Sequence, residues 1–181
     1  MWGLDPVVLA IACAYAALLI IAAASDVINR RIPNWTVAGL LILFVAWAFA
    51  RPGVSLPSAF TAFGLALAVS AGLYLIRWVG AGDSKLFSAV ALFAGLPLLP
   101  ALSLATVLTG GAIVVGALIV NPKRAGRVLT AKGRAQFRGV PYGVAISVAG
   151  LLLMFVPSFG LLQARDELGL LPNGALAPAR R

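Results

Sequence analysis

Long apolar runs with no charged residue in their interiors constrain this chain more than any other feature. Six runs follow one another, at about 7–25, 35–50, 58–77, 85–99, 101–120 and 140–160. Each approaches the roughly 20 residues that an α-helix needs to cross the hydrocarbon core of a bilayer. Six crossings take about 120 of the 181 residues, which leaves no room for a soluble domain of normal size. We therefore expect an all-α polytopic membrane protein with about six transmembrane helices.

The composition excludes several other classes of protein. Hydrophobic residues make up 62% of the chain and charged residues 10%, whereas about a quarter of the residues in a soluble domain are charged. The single cysteine, Cys13, lies in an apolar run, and there is no histidine, so a disulfide framework, a cysteine zinc cluster and histidine chemistry are excluded. We expect neither a metal nor a cofactor.

Two questions of organisation stay open at this point. The fourth and fifth runs are separated only by residues 97–100, so they form either two helices or one broken unit. We expect a membrane domain over residues 1–160, followed by an amphipathic to disordered tail over 161–181. The sequence does not determine an oligomeric state.

The basic residues predict the orientation, because Lys and Arg concentrate in cytoplasmic loops. Most of them follow the first, third and fifth helices, namely Arg30, Arg31, Arg77, Lys85, Lys123, Arg124, Arg127, Lys132, Arg134 and Arg138. These loops are therefore predicted to be cytoplasmic and both termini to lie outside. The net charge of +9 then indicates membrane topology rather than binding to nucleic acid. The basic loop 121–139 is expected to lie on anionic lipid, with docking of a substrate or partner as the alternative.

Asp26 and Asp83 are the chemically informative residues among only five acidic ones. Each lies at a cytoplasmic helix boundary, where an ionisable group is costly unless it is paired or used. A structural alternative exists for each: Asp26 pairs with Arg30 one helical turn later, and Asp83 caps the fourth helix. Two adjacent carboxyls share one proton and so supply an acid and a base, which suits peptide hydrolysis by an activated water.

The residues around the two aspartates form recognisable patterns. Asp26 is followed by the turn Ile32-Pro33-Asn34, in which Pro33 disfavours helix and Asn34 can cap the second helix. Asp83 lies in the segment 80–85, Gly-Ala-Gly-Asp-Ser-Lys, where Gly80 and Gly82 permit close backbone approach. The segment Pro141-Tyr142-Gly143 opens the last helix.

These patterns resemble the type IV prepilin peptidases, in particular the short Flp-prepilin type often called CpaA or TadV. The resemblance implies that Asp26 and Asp83 are the catalytic pair of a membrane aspartic endopeptidase. It also implies a substrate: the basic leader of prepilins or pseudopilins, cut after a glycine at the cytoplasmic face of a bacterial or archaeal inner membrane. Residues expected to shape the site or contact substrate are Gly80, Gly82, Lys85, Ile32, Pro33, Asn34, Pro141, Tyr142 and Gly143. Larger members carry paired Cys-x-x-Cys motifs associated with methylation, which this chain lacks, so methyltransferase activity is not expected.

Two other functions are compatible with a chain of this composition. A small transporter or channel normally places charged sites near the membrane midplane, but here the interiors of the six runs lack Asp, Glu, Lys and Arg. A non-enzymatic membrane scaffold could use the basic loop but leaves the two aspartates unexplained. The sequence favours the peptidase.

Overall fold

A computed structural model describes residues 6–51, 53–120 and 142–155 of the chain. Within these ranges the protein is entirely helical, without strands, as the sequence predicts. The helices are α1 (Pro6–Asn29), α2 (Asn34–Ala50), α3 (Leu56–Leu75), α4 (Ala81–Val120) and α5 (Tyr142–Phe155). The basic loop 121–139, Pro141 and the predicted tail 161–181 lie outside the described residues.

Three of these helices are long and apolar enough to cross a membrane. They are α1, α3 and the part of α4 from Ala81 to Gly116, whereas α2 and α5 are apolar but shorter. Large apolar side chains point away from the protein on several helices; Phe49 is 84% exposed and Leu75 is 78% exposed. Apolar surface of this kind is typical of a protein that contacts lipid. Six crossings stay a prediction.

The helix α4 is interrupted at Gly95. Gly95 has φ 67° and ψ 176°, a conformation that is accessible essentially only to glycine. The backbone N–H of Leu96 is left without a helical acceptor and donates instead to Ser58 Oγ of α3, at 2.9 Å. The sequence placed the boundary at residues 97–100, but Pro97 falls in the first turn after the break, where its missing N–H costs no hydrogen bond.

The chain reverses direction at this break. A straight helix would place Gly110 about 40 Å from Asp83. Instead, a Cβ built on Gly110 lies 3.9 Å from Tyr142 Cε1, and the charge of Asp83 acts on the hydroxyl of the same tyrosine. The second segment of α4 therefore runs back to the end of the bundle that contains Asp83. The fourth and fifth predicted runs therefore form two segments that run in opposite directions, which fits the two-helix alternative rather than one broken unit.

Small side chains let the helices approach closely in the core. Ala22, Ala66, Ala89 and Ala149 come from α1, α3, α4 and α5 and are each at most 2% exposed. Close packing of small residues is a common way to hold membrane helices together, because lipid supplies no hydrophobic drive between them. This core fixes the relative positions of the helix ends where the acidic residues lie.

Candidate functional site

The end of α1 places Asp26 in the last helical turn. The helix continues to Asn29, beyond the predicted end of the first run, and Arg30 ends it by adopting φ 54°. The Arg30 backbone N–H still donates to the Asp26 carbonyl oxygen at 3.1 Å. The helix therefore extends past the predicted end, as the Asp26–Arg30 alternative assumes, and the charge of Arg30 acts on the Asp26 carboxyl.

The turn after α1 differs in detail from the sequence expectation. Pro33, rather than Asn34, occupies the N-cap position of α2, and no side chain caps this helix. Thr36 Oγ1 donates to the Pro33 carbonyl oxygen at 2.7 Å. The Asn34 side chain is used differently, since its Oδ1 accepts a hydrogen bond of 3.3 Å from Lys85 Nζ of α4. Asn34 therefore joins α2 to α4.

Asp83 is the third residue of α4 and is partly buried. Its carboxylate accepts a hydrogen bond from the backbone of Gly80, so the capping interaction considered as an alternative is present. A Cβ built on Gly80 lies 2.8 Å from Asp83 Oδ2, and one built on Gly82 lies 3.2 Å from Ile32 Cβ. Both glycines thus stand where side chains would press on the site or on the turn beside it.

Two buried serines, Ser70 of α3 and Ser84 of α4, join the start of α4 to α3. Ser84 Oγ donates to the Ser70 carbonyl oxygen at 3.1 Å and also lies 3.2 Å from the Gly80 carbonyl oxygen. Ser88 Oγ donates to the Ser84 carbonyl oxygen at 2.7 Å. Since Ser84 follows Asp83 directly, this brace restricts where the Asp83 backbone lies.

The start of α5 closes over Asp26. The backbone N–H of Gly143 donates to Asp26 Oδ2 at 2.8 Å, and the backbone of Val144 makes a second hydrogen bond to the same carboxylate. Tyr142, the first residue of α5, lies within the electrostatic influence of Asp83. The start of α5 therefore lies close to both aspartates.

The two predicted carboxyls converge in the folded chain. Asp26 is only 7% exposed, and its charge acts directly on the carboxyl of Asp83. A nearby negative charge disfavours ionisation of a carboxyl, so the charge of Asp26 opposes the ionisation of Asp83. Within the described ranges, no three His, Cys, Asp or Glu side chains form a cluster that could hold a metal ion. The arrangement is suited to paired acid and base chemistry.

The sequence identified most of the residues that meet here, but not all of them. The predicted residues that the structure brings to this end are Asp26, Asp83, Gly80, Gly82, Ile32, Asn34, Lys85, Tyr142 and Gly143. Pro33 lies in the adjoining turn, and Pro141 is not among the described residues. The Val144 amide and the Ser70–Ser84 brace were missed; a serine beside Asp83 was a weak signal, and a backbone amide carries none.

Comparison with known proteins assigns the chain to a family. Neither the curated proteins nor the solved structures contain a match to the chain. The sequence model of the type IV leader peptidase family matches residues 13–115, a range that includes both aspartates. Since the match covers more than half of the chain, the protein belongs to the type IV leader peptidase family, a family of proteases.

Proposed function

We propose that this protein is a membrane aspartic endopeptidase that removes the basic leader from Flp-type prepilins or pseudopilins. The convergence of Asp26 and Asp83 from two separate helix ends carries the proposal. Family membership supports leader-peptidase activity. The two carboxyls supply the acid and the base for the reaction.

In the proposed mechanism, a water molecule lies between the carboxyls and the scissile peptide. The ionised carboxylate takes a proton from this water as its oxygen attacks the carbonyl carbon, and the protonated carboxyl donates its proton to the carbonyl oxygen. As the resulting tetrahedral intermediate collapses, the C–N bond breaks and the leaving amine receives a proton from the carboxyl that had taken one. One hydroxyl of the intermediate becomes the new carbonyl and returns its proton to the carboxylate that had donated one. One water is consumed, and the pair returns to its starting state with a single proton.

The short Flp type fits this chain best among the prepilin peptidases. The sequence contains one cysteine and therefore none of the paired Cys-x-x-Cys motifs of larger members, so leader removal without methylation is proposed. The proposed location is a bacterial or archaeal inner membrane, with the aspartates at the cytoplasmic face. The loop 121–139, with six basic residues, is proposed to lie on anionic lipid there.

Leader removal can be tested by co-expressing the protein with a candidate Flp-type prepilin and following the mobility of the pilin on a gel. We expect the wild type to convert the precursor to a shorter form. Asp26→Asn and Asp83→Asn should each abolish conversion while the protein stays in the membrane, because either change removes one member of the proton-sharing pair. Asp5→Asn makes the same chemical change at an acidic residue outside the pair and should cleave normally.

Normal cleavage by either site variant would contradict the two-aspartate mechanism. A transporter would instead give solute flux across vesicles without peptide cleavage. Asp26 and Asp83 lie within the terminal turns of their helices, whereas a transporter usually places such groups near the membrane midplane.

A further inference from the structure

The strongest unexplained feature of the site is the contact between α5 and Asp26. A helix leaves its first backbone N–H groups without helical acceptors, and a side-chain oxygen normally caps them from the residue just before the helix. In α5 the capping oxygen comes from a distant part of the chain, because Asp26 Oδ2 accepts from the Gly143 N–H at 2.8 Å. This contact is buried, so water does not compete for it.

The space around Gly143 shows why this residue has no side chain. A Cβ built there would lie 2.9 Å from Asp26 Oδ2, 3.0 Å from its Cγ and 3.0 Å from its Cβ. Two of these atoms are not at the free end of the side chain, so Asp26 cannot relieve the overlap by a small rotation of its carboxyl group. Either Asp26 or the whole start of α5 would have to move.

Gly64, the control position, has open space where a Cβ would stand. A Cβ built on Gly64 of α3 has no atom within 4 Å in the part of the chain that the structure describes. An alanine at that position therefore adds the same methyl group to a helix without touching the site.

We propose that Gly143 is a positioning residue: the start of α5 holds the Asp26 carboxylate ready for catalysis, and only glycine at 143 lets that helix come close enough. The N–H groups of Gly143 and Val144 fix both the orientation of the carboxylate and its distance from Asp83. A carboxylate that is already oriented needs no rearrangement as the reaction proceeds. The catalytic consequence rests on the proposed leader-peptidase function, but the contact itself does not.

Kinetics of leader cleavage with purified protein provide the first test. We expect Gly143→Ala to lower kcat on the order of 100-fold, which is the loss associated with a displacement of about 1 Å, and to leave KM within about twofold. Gly64→Ala should keep wild-type kcat and KM. Wild-type kcat in Gly143→Ala would overturn the proposal, as would a rise in KM alone.

Thermal unfolding in detergent provides a second test that needs no substrate. Gly143→Ala should lower the Tm in the wild-type background and lower it by less than half as much in Asp26→Ala, because that variant removes two of the three close atoms. Equal falls in both backgrounds would show that Gly143 contacts something else and would overturn the proposal. If the wild type cleaves no prepilin, the proposed function fails, while this coupling still decides whether α5 holds Asp26.

A second variant covers the possibility that Gly143→Ala does not fold. Val144→Pro replaces the N–H that points at the Asp26 carboxylate with the Cδ of the proline ring, so it removes one donor and crowds the same carboxylate, and proline is tolerated in the first turn of a helix. We expect kcat to fall at least about tenfold, which is the loss that corresponds to one hydrogen bond to a charged group. Unchanged kcat would contradict the role of this second N–H.

Discussion

The carboxyl of Asp83 is held against the backbone of the turn that precedes its own helix. It accepts a hydrogen bond from Gly80, and a Cβ on that residue would lie 2.8 Å from Asp83 Oδ2. The close atom is the free end of the Asp83 side chain, so the carboxyl can swing away at little cost to folding. A substitution at Gly80 should therefore change the position of this carboxyl more than it changes the stability of the protein.

This difference between position and stability leads to a prediction for Gly80→Ala. We expect leader cleavage to fall on the order of 100-fold, because the carboxyl is displaced from Asp26. The free energy of unfolding should change by less than about 1 kcal/mol, since only a flexible group has to move. Cleavage assays and thermal unfolding of the same preparation measure the two quantities.

Gly72→Ala is the matched control for Gly80→Ala. A Cβ at Gly72 has no atom within 4 Å among the described residues, so cleavage should stay at the wild-type rate. Full activity in Gly80→Ala would show that the Asp83 carboxyl tolerates the displacement, and a large loss of stability would show that the added methyl group meets more than this carboxyl.

At the scale of helices, the fold depends on the break in α4. The second segment can return to the site only because Gly95 takes a conformation that other residues avoid, and because Ser58 accepts the freed Leu96 N–H. In a chain surrounded by lipid, an unsatisfied backbone group costs several kcal/mol. The break is therefore stabilised from α3.

Replacing the glycine at this break should destabilise the protein. For Gly95→Ala we expect a loss of about 1–3 kcal/mol in the free energy of unfolding, which is the usual cost of this backbone conformation for a residue with a Cβ. Ser58→Ala should lose about 1–3 kcal/mol, because the Leu96 N–H is then left without an acceptor. Unfolding in detergent at increasing denaturant measures both effects.

The control for the break is Gly111→Ala in the second segment of the same helix. A Cβ at Gly111 has no atom within 4 Å in the described ranges, and alanine is favoured over glycine inside a helix by about 1 kcal/mol. This variant should be as stable as the wild type or slightly more stable. A Gly95→Ala protein with wild-type stability would mean that the break does not require glycine.

At the scale of the whole molecule, the site lies at one end of the helical bundle. The end of α1 and the starts of α4 and α5 meet there, and the basic residues Arg30, Arg77 and Lys85 lie at or near the same helix ends. The distribution of basic residues predicts that this end faces the cytoplasm and that both termini face outward.

Cysteine labelling of bacterial cells tests this orientation. In a Cys13→Ala background, Arg51→Cys should react with a membrane-impermeant maleimide in intact cells, because it follows α2 on the predicted outer side. Arg77→Cys, which follows α3, should react only after the membrane is permeabilised. The opposite pattern would reverse the predicted orientation. Labelling of both sites in intact cells would show that α3 does not cross the membrane.

The extent to which this protein could be predicted depends on how local each feature is. Hydropathy and helix-ending residues act within a few positions of one another, so the bounds of α2 and the existence of α1 and α3 followed from the chain alone. The pairing of Asp26 with Asp83 was also expected, because topology brings both helix ends to one side. The role of Asn34 was predicted wrongly, since its partner Lys85 lies on another helix.

The sequence by itself determined a helical, lipid-compatible chain with two aspartates at helix boundaries. The burial of apolar segments and the cost of buried charge both depend on the type of each residue and its neighbours in the chain. Only the tertiary structure decided that α4 turns back at Gly95, that Ser84 braces α3, and that Gly143 and Val144 hold Asp26. These contacts join backbone groups to residues far away in the chain. A backbone N–H is present at every residue except proline, so its partner is selected by packing and leaves no pattern in the sequence.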